Sequence, residues 1–141
     1  MNPNYNATVT LYNCRRAADS PEKKESWKRT VLCNVFWKAE TAVTQSGTQA
    51  SKSNTYTVRI PRKLPVNPEY HPYAEWKTGM DGFTVSEGDI VILGNCQEEI
   101  TGTSGQTAAQ VLARHKPDAF KVTAFADNTG FPMGKHYRLG G

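Results

Sequence analysis

Cysteine is scarce in this 141-residue chain, and the familiar catalytic and metal-binding motifs are missing from it. The three cysteines, Cys14, Cys33 and Cys96, form no CxxC pair. This argues against a zinc finger, a dithiol redox motif or a disulfide scaffold, and we expect small buried side chains in a reducing compartment. No HExxH, GxSxG, GxxxxGK[ST] or GxGxxG pattern occurs. These absences predict no enzyme, no bound metal and no cofactor.

The histidines and the neighbouring carboxylates form no recognisable site either. The three histidines lack the spacing of metal ligands, and His115 is expected at the C-terminal end of a helix. The pairs Glu87/Asp89 and Glu98/Glu99 are expected to be turn and surface charges rather than a catalytic dyad.

Leucine is also rare, and no run of 18 apolar residues occurs, so we expect a soluble chain with no membrane span and no signal peptide. Against 6 Leu stand 15 Thr, 10 Val, 4 Ile and 14 aromatic residues. β-Branched and aromatic residues favour strands, so this balance predicts a mainly β fold. The length predicts a single domain over residues 1–141.

Local patterns place the elements. Strands are predicted over residues 7–13, 30–38, 54–60, 90–93 and 120–127. In the first strand Val9 and Leu11 face one side and Tyr12 the other. One short helix is predicted after a capping box of Thr103 and Gln106.

The same alternation assigns faces to three further segments. In strand 30–38, Val31, Cys33, Val35 and Trp37 are expected on one face, with Leu32 and Phe36 on the other. In strand 54–60, Tyr56, Val58 and Ile60 are expected to share a face. In the helix, Ala108, Val111, Leu112 and His115 are expected on one side.

Residues 30–60 together predict a long β-hairpin with a soft polar tip. The tip is small, polar and nearly uncharged, although a merely disordered loop would have the same composition. Residues 61–82 contain four prolines within a dozen residues and predict a long loop. Residues 128–141 are expected to form an extended C-terminal tail.

Charge is divided unevenly along the chain. Residues 1–63 hold 11 Lys/Arg and 4 Asp/Glu, whereas residues 64–141 hold 6 and 9. A basic half and an acidic half suit either nucleic-acid contact or stacking between copies of the chain, and a chance gradient on a solvated surface fits as well.

Several of these segments resemble proteins of tailed-phage particles. The strand VTLYN at residues 9–13, Trp27, and the residues TVL and VFW at 30–32 and 35–37 resemble the opening of head-closure (stopper) and related minor capsid proteins. The segments NTYTVRIP (54–61), GDIV (88–91), KVT (121–123) and HYRLGG (136–141) resemble an uncharacterised family found among head and tail assembly genes of phages of Gram-positive bacteria.

The resemblance implies a small antiparallel β-barrel that assembles as a homo-oligomeric ring in the virion neck. Such a ring closes the DNA channel below the portal and adaptor proteins and offers a docking face to tail terminator or tail tube proteins. Packaged double-stranded DNA passes through the channel. Carried over by position, the hairpin that projects into the channel is residues 41–56. Its tip residues are Gln45, Ser46, Gly47, Thr48, Gln49, Ala50, Ser51, Lys52 and Ser53.

Aromatic residues and arginine outside the hairpin are the candidates for contacts with other subunits or partners, because interface energy concentrates in these types. The candidates are Tyr70, Tyr73, Trp76, Phe131, Tyr137 and Arg138.

Two alternatives remain. The long loop at 61–82 departs from compact stoppers, so another phage connector or a minor capsid protein fits as well. The second is an OB-like nucleic-acid-binding barrel, in which aromatic side chains stack on bases beside basic residues. Its stacking residues would be Tyr12, Phe36, Trp37 and Tyr56, beside Arg15, Arg16, Lys23, Lys24, Lys28 and Arg29.

Overall fold

The described residues form a curled, mainly β structure with one short α-helix. A computed structural model describes residues 5–21, 23–47, 49–62, 67–77, 81–130 and 135–141. The strands are β1 (Ala7–Arg15), β2 (Ser26–Ser46), β3 (Gln49–Pro61), β4 (Ile90–Leu93), β5 (Ala119–Lys121), β6 (Ala124–Asp127) and β7 (His136–Gly140), and the helix is α1 (Ala108–His115).

The seven strands form one antiparallel sheet in the order β5-β4-β1-β2-β3-β7-β6. Its two edge strands, β5 and β6, are consecutive in the chain and are separated only by Val122 and Thr123. The Thr123 N–H donates to the Gly140 carbonyl at 2.8 Å, while the Val122 N–H donates to the Asp89 carbonyl at 2.7 Å. Because so short a link joins opposite edges, the sheet curls into a half-barrel around its core.

A β-bulge bends β2 in its middle. Ala7 pairs with Val35 and Val9 pairs with Leu32, so β2 uses one residue more than β1 over the same stretch. Asn34 has a φ of 56° there, a left-handed conformation that Asn tolerates better than most residues. The bulge puts Leu32 and Val35, both fully buried, into the same core cluster. The alternation predicted for residues 30–38, which put these two on opposite faces, is therefore wrong.

The side chain of Asn67 completes the hydrogen bonding at the bulge. Its Oδ1 accepts from the Cys33 N–H at 2.9 Å, and its Nδ2 donates to the Cys33 carbonyl at 2.8 Å. Both backbone groups of Cys33 thereby gain partners beside the bulge, where the β1–β2 register is interrupted.

The core has two parts, which share β1. Val9 and Leu11 face the inside of the curl, while Tyr12 faces a smaller cluster beneath α1 that includes Ile90 and Val111. The alternation predicted for β1 is confirmed, and so is the shared face of Tyr56, Val58 and Ile60 in β3. The second cluster forms where α1 and the loop before it cover the outer face of β1.

The helix lies where the sequence predicts it, but its cap is one turn later. Thr107 is the N-cap, and its hydroxyl and the Gln110 side chain form a reciprocal capping box. The predicted pair Thr103 and Gln106 lies in the loop before the helix. The expected apolar face is confirmed, since Val111 is buried and Ala108 and Leu112 pack around it.

Two segments differ from the expectation. The predicted strand at residues 120–127 is divided into β5 and β6, which pair at opposite edges of the sheet. The predicted extended tail contains β7, a strand that pairs with both β3 and β6. Pro61 is the last residue of β3, and the described part of the predicted loop after it contains no helix or named strand. A bridge between Tyr70 and Phe83 ties this segment to the barrel.

Asn67→Ala should lower the free energy of unfolding by about 1–3 kcal/mol, because both Cys33 backbone groups lose a part-buried partner. The matched control is Asn95→Ala, whose exposed side chain contacts that of exposed Gln97 and should cost less than about 0.5 kcal/mol. Urea denaturation of the two variants measures the difference, and equal losses would contradict the role given to Asn67.

Candidate functional site

The hairpin of β2 and β3 extends well beyond the rest of the sheet. β1 pairs with β2 only as far as Val35, and β7 pairs with β3 only as far as Thr57. The β2–β3 ladder nevertheless continues from Ala39 and Tyr56 to Ser46 and Gln49. Residues 40–46 and 49–55, called the ribbon below, therefore form a two-stranded ladder to which no third described strand pairs. At about 3.3 Å per residue the ribbon is about 23 Å long.

The predicted tip is thus mostly strand. Ladder pairs continue to Ser46 and Gln49, so the expected loop over residues 45–53 is wrong for the backbone, and the connection is Gly47 and residue 48. Gly47 has a φ of 62° and open space around it, as a tight hairpin turn requires. Residue 48 lies outside the described residues.

An aromatic cluster fixes the base of the ribbon to the barrel. The Tyr56 and Phe120 rings stack at 5.0 Å between centroids, and Trp37 packs against both rings at 5.8 and 5.6 Å. The Tyr56 hydroxyl donates to the Pro117 carbonyl at 2.9 Å. The Tyr56 and Gly141 backbones exchange two hydrogen bonds of 2.8 and 3.2 Å. These contacts set the direction in which the ribbon leaves the barrel.

A second feature is an aromatic patch at the β6 edge, formed by Tyr70, Phe125 and Tyr137. The Tyr70 ring lies 4.4 Å from Tyr137 and 5.8 Å from Phe125, between centroids. Phe125 is 36% exposed. It and Leu93 are the two exposed large apolar side chains among the described residues. Phe125 was not among the predicted contact residues, because its strand pattern does not distinguish an exposed edge from a buried one.

The remaining predicted contact residues have different environments. Trp76, a predicted contact residue, is fully buried, so it offers no surface to another subunit or partner in this structure. Tyr73 is half-buried and organises the loop after β1, since its hydroxyl bonds Asp19 and the Arg16 N–H. Arg138 is exposed on β7. Phe131 lies outside the described residues.

The basic and acidic halves of the sequence do not form separate lobes. The basic half supplies the central strands β1, β2 and β3, and the acidic half supplies the strands on both sides of them. Ion pairs such as Arg29–Glu99, at 3.2 Å, join the two halves. The charge is therefore not arranged as one basic face opposite one acidic face.

A model of one protein family matches residues 4–141. The chain belongs to DUF6751, a family of unknown function. No curated protein and no solved structure matches the chain significantly. In the described part of this family member, no helix is long and apolar enough to cross a bilayer.

The family member also has a cavity of about 380 Å³ between α1 and the turn before β4. Asp89 lines it, and its side chain is fully buried. The Asp89 carboxylate accepts from Asn13 Nδ2 at 2.8 Å, the Ser86 N–H at 2.9 Å and the Cys14 N–H at 3.1 Å. This carboxylate fastens the β4 turn to β1, which is a structural role. Glu87 is exposed as expected, whereas the expectation of a surface charge is wrong for Asp89.

Three ligand-type side chains meet at the C-terminal end of α1. They are Cys96, Glu98 and His115, and their potential donor atoms all lie within 4.8 Å of one another. The expectation that His115 only ends a helix missed this proximity, because the other two residues belong to a loop.

Burial raises the pKa of Asp89 from 3.8 to about 6, although three hydrogen bonds oppose the shift. Because the folded state then holds the proton more tightly than the unfolded chain, protonation stabilises the fold. The unfolding free energy should therefore fall as pH rises from about 4 to about 6, by at most about 3 kcal/mol. Carbon-13 NMR of the Asp89 carboxyl, with urea unfolding over the same pH range, measures both effects. Titration near pH 4 would contradict the expectation.

Proposed function

We propose that this family member is a structural subunit of the virion neck of a tailed phage, in which copies form a head-closure ring. The ring closes the DNA channel below the portal and adaptor proteins and offers the tail its docking face. The observation that carries the proposal is the ribbon, a ladder of about 23 Å that leaves a compact half-barrel without support from a third described strand.

A ribbon of this kind suits an assembled state better than an isolated chain. A two-stranded hairpin alone is marginally stable in water, and both of its outer edges carry unpaired backbone groups. In a ring, ribbons from neighbouring subunits lie close together and supply one another with contacts. These contacts between subunits stabilise the ribbon in the assembled ring, at the position where it closes the channel.

The chemistry of the ribbon favours obstruction over tight binding of DNA. Its residues are mainly Thr, Ser, Gln, Ala and Asn, with Glu40 and Lys52 as the charged members. DNA affinity depends on several cations that neutralise phosphates. A nearly neutral ribbon blocks the channel sterically and still lets DNA pass when the ribbon moves.

The aromatic patch is the candidate contact with a neighbouring subunit or with a tail protein. Phe125 is exposed beside the half-buried Tyr70 on an edge strand. Such an arrangement gives a rigid apolar anchor next to free backbone groups. This surface replaces Trp76 in the set of proposed contacts, while Tyr70 and Arg138 remain in it. Tyr137 is buried, so it supports the patch by packing against Tyr70 and Phe125 and is not itself a contact.

The OB-like alternative is less well supported. Tyr12 is fully buried and Tyr56 is 7% exposed, so neither offers a face on which a base can stack. Phe36 is half-buried and is covered by the Arg59 guanidinium at 5.0 Å from its ring centroid. A different connector or a minor capsid protein remains the second candidate, since the same ribbon would serve a neighbouring ring of the neck.

Shortening the ribbon tests the proposed block. Removing residues 43–46 and 49–52 deletes four ladder pairs in register and keeps Gly47 and residue 48 as the turn. Because the deleted pairs lie outside the barrel, the unfolding free energy should change by less than about 1 kcal/mol. Particles assembled with this variant should lose packaged DNA, as measured by nuclease-accessible DNA per particle.

The matched control, Lys52→Gln, keeps the ribbon at full length and removes its one cation. This variant should retain DNA, because the block is steric. DNA retention by the shortened ribbon in assembled particles would refute the proposed block, and unfolding of the shortened protein would show that the ribbon belongs to the core.

Phe125→Ser tests the aromatic patch. The substitution should reduce incorporation of the protein into particles at least about tenfold and leave its thermal midpoint nearly unchanged, since Phe125 is exposed. Leu93→Ser, at a side chain of equal exposure on another strand, is the control and should assemble normally. Equal incorporation of both variants would exclude the patch as a contact.

A further inference from the structure

Cys96, Glu98 and His115 bring three different donor atoms to one point. The Cys96 Sγ lies 3.5 Å from the His115 Nε2 and 4.0 Å from the Glu98 Oε2. The His115 Nε2 also contacts the Glu98 Oε2. Cys96 is buried, while Glu98 and His115 are partly accessible, so the point is reachable from solvent.

The arrangement differs from that of a cysteine nucleophile with its base. In a catalytic triad the histidine uses one ring nitrogen toward the nucleophile and the other toward the acid. Here a single nitrogen, Nε2, faces both the sulfur and the carboxylate. Donors that converge on one point are typical of metal coordination instead.

The loop that carries two of these donors is held in place by the barrel. The Cys96 N–H donates to the Thr10 Oγ1 at 2.8 Å, and the Tyr12 hydroxyl donates to the Glu98 carbonyl at 2.7 Å. Arg29 donates to the Cys96 carbonyl at 3.0 Å. Strands β1 and β2 therefore position the loop without help from an ion.

The third donor comes from the last residue of α1, whose first turn is fixed by the Thr107 capping box. The neighbouring Arg114 forms an ion pair with the Glu98 Oε1. This ion pair leaves the Glu98 Oε2 turned toward His115. The positive charge of Arg114 lowers the affinity of the site for a cation.

We propose that Cys96, Glu98 and His115 bind a divalent cation of the zinc class. Sulfur, imidazole nitrogen and carboxylate oxygen are the zinc ligands of proteins. Donors at about 2.0–2.3 Å from a tetrahedral centre lie about 3.3–3.8 Å apart, close to the two sulfur separations of 3.5 and 4.0 Å. The His115 Nε2 and the Glu98 Oε2 are in direct contact and move apart when both bind the ion. Binding releases the thiol proton of Cys96 and any proton shared by His115 and Glu98. Water fills the fourth position, and the ion ties the loop to the end of α1.

Cobalt(II) is the probe that tests the site, because a thiolate ligand gives it a near-ultraviolet charge-transfer band. The purified full chain, freed of metal, should bind one equivalent of Co²⁺ with this band and release it when Zn²⁺ is added. Cys96→Ser should abolish the band. Cys33→Ser, at another free cysteine, is the matched control and should keep it.

His115→Gln separates ligation from folding, because His115 is partly exposed at a helix end. This variant should fold, as circular dichroism shows, and should bind Zn²⁺ more than about 100-fold more weakly, beyond the loss that an outer-shell change causes. Glu98→Gln provides the same comparison if His115→Gln misfolds. A wild-type chain without the cobalt band, or Zn²⁺ affinity unchanged in a folded ligand variant, would overturn the proposal.

Discussion

The bend in β2 is the constraint on which the rest of the structure depends. A straight strand of 21 residues pairs with neighbours in one plane, whereas this one pairs with β1 over its first half and with β3 over its second half. The extra residue beside Asn34 turns the strand between the two halves, and the Asn67 amide satisfies the backbone of Cys33. Because β2 itself bends, the half-barrel can curl around its core while the second half of the strand continues outward as the ribbon.

Local patterns revealed much of the fold. The alternation of β1 and β3, and the apolar run of β4 between Gly88 and Gly94, are visible because each pattern is a local consequence of one buried face. The bulge could not be predicted from the sequence. One added residue reverses which positions face inward, and no particular residue type marks where it is added. β7 is hidden for another reason: it is a short segment in a polar tail, and it becomes a strand by pairing with β3 and β6. The helix cap is ambiguous because Thr103–Gln106 and Thr107–Gln110 both have capping-box spacing.

The candidate sites were harder to predict than the fold. No third strand in the described part of the chain pairs with the ribbon, and its sequence looks like that of a loop although its backbone is paired. Trp76, a predicted contact residue, is buried, while Phe125, which was not predicted as one, is exposed, since composition cannot tell a buried aromatic residue from an exposed one. Cys96, Glu98 and His115 escape any search by spacing, because a loop and a helix end bring them together only after the barrel has formed.

The ribbon and the barrel are governed by different balances of free energy. Each ribbon residue loses about 1–2 kcal/mol of backbone entropy on ordering, while a net ladder hydrogen bond returns about 1 kcal/mol. Inside the barrel, burial of side chains such as Val58 and Leu139 makes up the difference. No third strand among the described residues supplies such burial to the ribbon, so its order is marginal in an isolated chain. This balance is the physical reason why the proposed ring assigns the ribbon a second surface, supplied on assembly.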